Sequence, residues 1–470
     1  MASSALTFDY SNVLTGAVGA AHGLSIAEIK RSEPDVKQVV ANIERERKSG
    51  KHRYRDLPLD RDMAKTVKAA VRKFKPGVEN LVVLGIGGSA LGNTALQTAL
   101  NPPLHNLLPG AKRRGPRLFV LDNVDPVQFA NLLDVLEPTI KKTLFNVISK
   151  SGETAETASQ FLIMRDILAK KLGAKNMAKR LVVTTDPETG TLRGLADEHG
   201  WYTLPVPAGV GGRFSVLSAV GLFSAAMCGV NIDKLLAGAD EMGQRVAAKV
   251  VRKNPAAMLA LIMHAFYTRG KRLHVLFPYS YQLKDLADWY RQLWAESLGK
   301  QVDLDGESII MGPTPIMALG TTDQHSQVQL YREGPNDKVF IFMEVEKFAR
   351  DVKIPRVKGT PDSLRYLEGA SLGRLLNAER TATEYALVAS ERPCLNIRFP
   401  RIDEHTTGQF IMLWEAATSI MGGLMNINPY DQPAVQLGKD YTYALMGKPG
   451  YEKQAKQFAK RAGKAGKYCV

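Results

Sequence analysis

Leu144-Phe145-Asn146-Val147-Ile148-Ser149-Lys150-Ser151-Gly152-Glu153-Thr154 governs the architecture: an apolar run passes into a hydroxyl-rich turn and then into a helical pattern over 154–172 that stops near Gly173. The apolar run reads as a strand. Hydroxyls, a lysine and the free N–H groups of a helix N-terminus converge at its end, which is where an anion, and a phosphate above all, is best stabilised. Upstream the chain repeats the arrangement, with Leu81-Val82-Val83-Leu84 running into Gly85-Ile86-Gly87-Gly88-Ser89-Ala90-Leu91-Gly92. Two such turns at the carboxyl ends of strands in one sheet point to one anionic ligand.

On either side, strand-like runs recur at Leu118-Phe119-Val120-Leu121 and Leu181-Val182-Val183, separated by helix-period segments. Strand alternating with helix predicts parallel βαβ units and a doubly wound sheet. After a helical stretch at 215–229 and a long helix-rich region at 233–268, the grammar starts again. His274-Val275-Leu276-Phe277 leads into a helical pattern at 282–298, and Val339-Phe340-Ile341-Phe342 and Leu395-Asn396-Ile397-Arg398-Phe399 are further strands. A chain of 470 residues is also too long for one hydrophobic core. The expected fold class is α/β, with two doubly wound parallel-sheet domains meeting near residue 230. A helical arm over 1–60 precedes a first domain over 61–230, and a second domain over 231–430 precedes a helical tail over 431–470. No low-complexity segment or short-period repeat is present, which excludes a solenoid.

At 45% apolar and 23% charged residues the composition is that of an ordinary soluble protein. The formal net charge of +15 raises nucleic acid as a partner, but the basic residues are scattered and no nucleic-acid-binding motif occurs, so none is expected. The densest basic cluster, Lys453, Lys456, Lys460, Arg461, Lys464 and Lys467, reads as the solvated face of a tail helix. A positive field also draws in a small acidic substrate. Cys228, Cys394 and Cys469 are odd in number, far apart and in no CxxC pair, so neither a disulfide framework nor a zinc site is indicated. The N-terminal residues show neither a charged n-region nor a long apolar run, and Cys469 stands next to last, which does not fit a prenylation box. A cytoplasmic protein with no membrane partner is the expectation.

Five further features carry chemistry. Gly85-x-Gly87-x-x-Ala90 fits a permissive dinucleotide fingerprint, but the acidic residue expected ~20 positions later is missing. No Gly-Lys pair is followed by Ser or Thr, so there is no P-loop. Glu296 lies at the end of a helix closed by Gly299 and beside Trp294 in sequence, a setting expected to raise its pKa toward general-base use; a solvated Glu is the plain alternative. Gly211-Gly212-Arg213-Phe214-Ser215 places an Arg between a glycine pair and a helix start capped by Ser215, able to fork onto an oxyanion or to tie down a surface carboxylate. His325, in Gly320-Thr321-Thr322-Asp323-Gln324-His325-Ser326-Gln327, has the most polar setting of the eight histidines. Lys439, in Gln436-Leu437-Gly438-Lys439-Asp440, reads locally as one more solvated lysine.

Taken together, Leu84–Ser89, Ser149–Thr154, Gly211–Ser215, Glu296-Ser297-Leu298-Gly299-Lys300, Gln324-His325 and Gln436–Lys439 resemble, in order and over nearly the whole chain, the phosphoglucose isomerase family, which is built from two sugar-isomerase (SIS) domains. The resemblance implies that Ser149, Lys150, Ser151 and Thr154 hold a sugar phosphate while Gly88 and Ser89 line the sugar. It implies that Glu296 is the base moving a proton between C2 and C1, and that Arg213 stabilises the cis-enediol(ate). His325 and Lys439 match the ring-opening pair, and Gln292 and Gln432 match substrate-contacting glutamines. It further implies a homodimer in which the histidine reaches the partner's site, and an aldose–ketose isomerisation of glucose 6-phosphate and fructose 6-phosphate that needs no redox cofactor and no metal. The rival readings are a nicotinamide-dependent dehydrogenase using the Gly85 turn, and a non-catalytic sugar-phosphate sensor.

Overall fold

The computed structural model describes residues 5–462 and contains two compact units, one extending to Pro429 and one from Tyr430 onward. The first unit holds two five-stranded sheets. The first sheet is built from β2 (Asn80–Leu84), β3 (Arg117–Leu121), β4 (Thr143–Ile148), β5 (Leu181–Thr185) and β6 (Tyr202–Pro205). Its spatial order is β3-β2-β4-β5-β6 and every pairing is parallel. β2 and β4 are buried along their whole length, as central strands covered by helices on both faces must be. The helices Leu91–Leu100, Pro126–Leu136, Ala155–Leu172 and Thr191–His199 form the crossovers. Val82, Phe145, Phe161 and Trp201 anchor the core of this layer.

The second sheet contains β1 (Thr7–Asp9), β7 (Leu273–Pro278), β10 (Thr314–Met317), β11 (Lys338–Val345) and β12 (Cys394–Phe399), in the order β1-β12-β11-β7-β10. Four strands run parallel, while β1 pairs antiparallel with the outer edge of β12, Phe8 opposite Ile397. A separate hairpin joins β8 (Lys300–Val302) to β9 (Ser308–Met311). The N-terminal arm is therefore not wholly helical as expected: Thr7–Asp9 completes a sheet edge before the helix Ile26–Lys48 begins. Strands β6, β8, β9 and β10 also go beyond the expected set.

The helical stretch expected at 215–229 starts at Ala219 and is capped by Ser218, whose hydroxyl accepts from Val220 N–H at 3.2 Å. Ser215 is not the cap; its hydroxyl donates back to Gly212 C=O at 2.7 Å and closes the turn that carries Arg213. The helix-rich region at 233–268 divides into Ile232–Val246 and Pro255–Thr268. Glu404–Leu424, capped by Asp403, is buried on every side from Thr406 to Gly422.

The second unit contains the helices Val435–Leu445 and Glu452–Ala462. Tyr441 packs on Phe458 and Tyr443 on Tyr451. Lys453, Lys456 and Lys460 are exposed on the second of these helices. Lys464, Lys467 and Cys469 lie outside the described residues, as does the Arg461 side chain. No helix among the described residues is long and apolar enough to cross a membrane.

Candidate active site

Numbered by its own strands, the first sheet has the order 2-1-3-4-5, whose direction reverses between β2 and β4. Ligands bind at that reversal, beyond the carboxyl ends of the strands. Both glycine- and serine-rich turns leave the sheet there. Ser149 closes β4 and is buried, its N–H donating to Thr184 C=O at 3.1 Å and its C=O accepting from Thr185 Oγ1 at 2.8 Å. Its hydroxyl accepts from Gly152 N–H at 3.0 Å, and Ser151 Oγ accepts from Glu153 N–H at 3.2 Å. Gly152 has φ +77°, and a Cβ there would stand 2.3 Å from Leu192 N, so only glycine lets the turn close against the next helix. Thr154 starts the 18-residue helix Ala155–Leu172, and its side chain makes no capping hydrogen bond. Lys150 and Ser151 are exposed and Thr154 is half-buried. A helix N-terminus, two serine hydroxyls, the Thr154 side chain and a lysine thus lie within one turn of chain, an arrangement suited to a phosphate dianion.

The second turn brings in the chemistry. Gly87–Ser89 forms a 3-10 turn after β2, and a Cβ on Gly88 would lie 2.3 Å from Gly212 C and O. Backbone therefore presses directly on backbone, and the segment Gly212–Phe214 lies across the mouth of the first sheet. Arg213, only 5% exposed, projects from that segment onto the helix Lys284–Leu298, which comes after β7 of the second sheet. Its Nη1 donates to Glu296 Oε2 at 3.2 Å, its Nε to Ser297 Oγ at 3.0 Å and its Nη2 to Pro429 C=O at 3.0 Å. Gln292, one turn before Glu296, donates from Nε2 to Glu296 Oε1 at 3.3 Å and lies beside Gly87, whose Cβ would stand 2.8 Å from that nitrogen. The Glu296 side chain keeps 34% of its surface exposed, so a carboxylate open to solvent is paired with an almost fully buried guanidinium. Such a couple can move a proton at one point and hold negative charge beside it.

The expected role of Trp294 is not realised. Residues two apart on a helix face away from each other, and Trp294 is fully buried against Tyr290 and Trp414, its indole N–H donating to His274 Nδ1 at 3.0 Å. Glu296 occupies the other side of the helix. At the helix end Lys300 Nζ donates to Glu296 C=O at 3.0 Å and sets a cation against the negative pole there.

His325 ends the short turn Thr322–His325 and is exposed, with no hydrogen bond or ion pair linking its ring to Glu296 or Arg213 among the described residues. Asp323 organises this turn: Leu319 N–H reaches its Oδ2 at 2.7 Å and Ser326 Oγ its Oδ1 at 2.6 Å. Burial pushes the Asp323 carboxyl up, but the hydrogen bonds from Ser326, Leu319 and Gln327 outweigh it and hold it below its usual value. Tyr279 Oη donates to Gln324 Oε1 at 2.6 Å and ties the turn to β7. Gln432 and Lys439 belong to the second unit, where both are exposed and Lys439 lies on the helix Val435–Leu445. The first unit thus brings together Gly88, Ser89, Arg213, Gln292 and Glu296 beside the Ser149–Thr154 turn. Ser297, Lys300 and the Pro429 carbonyl also belong to this site. The first two stand inside the Glu296–Lys300 motif, but their function of holding other groups leaves no mark in a single sequence.

A family model described as phosphoglucose isomerase matches residues 61–462. The glucose-6-phosphate isomerase of Carboxydothermus hydrogenoformans is 43% identical over 457 residues, covering 97% of this chain and 98% of that protein. That of Rubrobacter xylanophilus is 42% identical over 448 residues, covering 95% and 99%. Among solved structures, a hypothetical protein from Thermus thermophilus superposes with a TM-score of 0.83 at 36% identity, covering 94% of this chain and 99% of that one. A glucose-6-phosphate isomerase from Chlamydia trachomatis superposes with a TM-score of 0.79 at 20% identity, covering 97% and 92%, a likeness of fold.

Proposed function

The chain belongs to the phosphoglucose isomerase family and interconverts glucose 6-phosphate and fructose 6-phosphate, and on that footing we propose how its residues divide the work. The Ser149-Lys150-Ser151 turn and Thr154 hold the phosphate, and Gly88, Ser89, Gln292 and Gln432 contact the sugar. His325 and Lys439 open the ring. In the open-chain aldose Glu296 takes the C2 proton, and the electron pair left behind forms the C1=C2 bond of an enediolate whose charge on O1 is met by Arg213. Glu296 returns its proton to C1 while the O2 proton passes to O1, and the ketose results. The same carboxylate performs both transfers, so no external oxidant or reductant enters the balance. The observation that carries this reading is the contact of Arg213 Nη1 with Glu296 Oε2 at 3.2 Å, one buried and one open, beside the glycine turn of the first sheet.

We also propose a cytoplasmic homodimer in which the exposed His325 serves the partner's site, with catalytic domains over 61–230 and 231–430. Glu296→Gln is expected to lower isomerisation and solvent-deuterium incorporation at C2 by about 10³-fold or more, with KM nearly unchanged. Near wild-type incorporation would remove Glu296 as the base. Co-refolded with inactive His325→Ala chains, the Glu296→Gln chain is expected to regain up to about a quarter of wild-type activity, since one site in each mixed dimer is intact. No recovery in dimers shown by native mass to be mixed would put His325 in its own chain's site.

A further inference from the structure

Three corners of the Arg213 fork meet three different partners. Ser297 Oγ lies 3.0 Å from Nε, Pro429 C=O lies 3.0 Å from Nη2, and Glu296 Oε2 lies 3.2 Å from Nη1. Two of these partners are neutral. A hydroxyl and a carbonyl can fix the direction of a guanidinium without cancelling its charge. Because the fork is planar, acceptors on Nε and Nη2 leave it no rotation that keeps both bonds, and Nη1 is aimed by default. Ser297 is fully buried, so its hydroxyl faces the guanidinium and not solvent. It comes directly after Glu296 on the same helix, so one turn of helix both presents the carboxylate and sets the cation against it.

We infer that Ser297 is a positioning residue of the isomerisation: its hydroxyl, acting with the Pro429 carbonyl, orients Arg213 so that Nη1 is held beside the Glu296 carboxylate, where the proton transfer and the enediolate charge arise. The inference rests on the reading of Arg213 as the group that meets the enediolate charge. A misaimed guanidinium still carries its charge and still permits substrate to bind, so the defect belongs to the chemical step.

The test is a double-mutant cycle on fructose 6-phosphate turnover. Ser297→Ala is expected to lower kcat by about 10-fold or more, the scale of one lost hydrogen bond to a charged group, and to change KM by less than about twofold. Ser297→Cys, which keeps the packing but substitutes a weak acceptor, is expected to behave alike and guards against a fold lost to the buried cavity. In an Arg213→Met background, Ser297→Ala is expected to have no further effect, because the group it positions is gone. A full kcat in both Ser297 variants overturns the inference, as does an equal fractional loss with and without Arg213, or a lowered unfolding midpoint with unaltered kcat. Wild-type kcat in Arg213→Met alone would refute the role given to Arg213 itself, a separate failure.

Discussion

The two sheets of the first unit share one strand order and end differently. Read from β3, the first runs 2-1-3-4-5; read from β10, the parallel part of the second runs 2-1-3-4. Each therefore reverses direction between its first and third strands, where a ligand is favoured by topology. In the first sheet the strands at that place run into Gly85–Ser89 and Ser149–Thr154, turns rich in Gly and Ser in which Ile86–Ser89 are half-buried and Lys150, Ser151 and Glu153 are exposed. In the second, β7 runs into Tyr279, whose buried ring packs 5.1 Å from Phe277 and 5.8 Å from Phe342 and whose hydroxyl is taken by Gln324. The end of β11 is likewise consumed, with Asn377 Nδ2 donating to Val345 C=O at 3.0 Å. Topology thus offers two equivalent places, and side-chain volume leaves one open and fills the other. The filled sheet contributes through the segments that leave its strands: the helix bearing Glu296 comes after β7, and the His325 turn comes after β10.

The strongest test of this contrast lies in the filled sheet. Phe277→Ala should cost about 3–5 kcal/mol of stability, read from the urea midpoint, because a large ring leaves a cavity among Tyr279, Tyr331 and Phe342. A raised KM with an unmoved midpoint would make that sheet's end part of the substrate site and undo the contrast. In the open sheet, Ser149→Ala combined with Thr154→Ala should raise KM about 10- to 100-fold with kcat little changed, since hydrogen bonds to a phosphate act equally in ground and transition states. Steady-state kinetics decides this, and a fall in kcat at constant KM would contradict it. The most gradual effect concerns pH. Burial lowers the His274 pKa from 6.5 to about 3, while its Nδ1 accepts the Trp294 indole proton. The unfolded chain takes up a proton near pH 6.5 that the folded chain refuses until about pH 3, so stability is lost as pH falls through that window, by about 1.4 kcal/mol per pH unit from this group. His274→Gln should flatten the slope by one proton; an unchanged slope would mean that the site is open to water.

Much of this architecture is legible along the chain. The central strands 80–84, 143–148, 273–278, 338–345 and 394–399 stand out because each is a short, mostly apolar run, and the Ser149–Thr154 turn stands out because its polar groups are consecutive residues. Other elements carry a weaker signal. β6 buries only Leu204 and ends in Pro205, the β8–β9 hairpin is largely exposed, and the helix Glu404–Leu424 is buried all round and so lacks the one-sided period that marks a surface helix. Trp294 misleads because neighbours in sequence point to different sides of a helix.

The α/β grammar and, through resemblance, the family are written in the chain itself, and the same resemblance singles out Glu296 and Arg213. Packing alone settles that these two meet across 83 residues, that Pro429 closes the guanidinium from 216 residues away, and that Thr7–Asp9 seals a sheet edge against β12. Local patterns report the burial and dihedral preferences of neighbouring residues. Which distant groups share a hydrogen bond is set by how helices and sheets pack, and that information resides in no single stretch of chain.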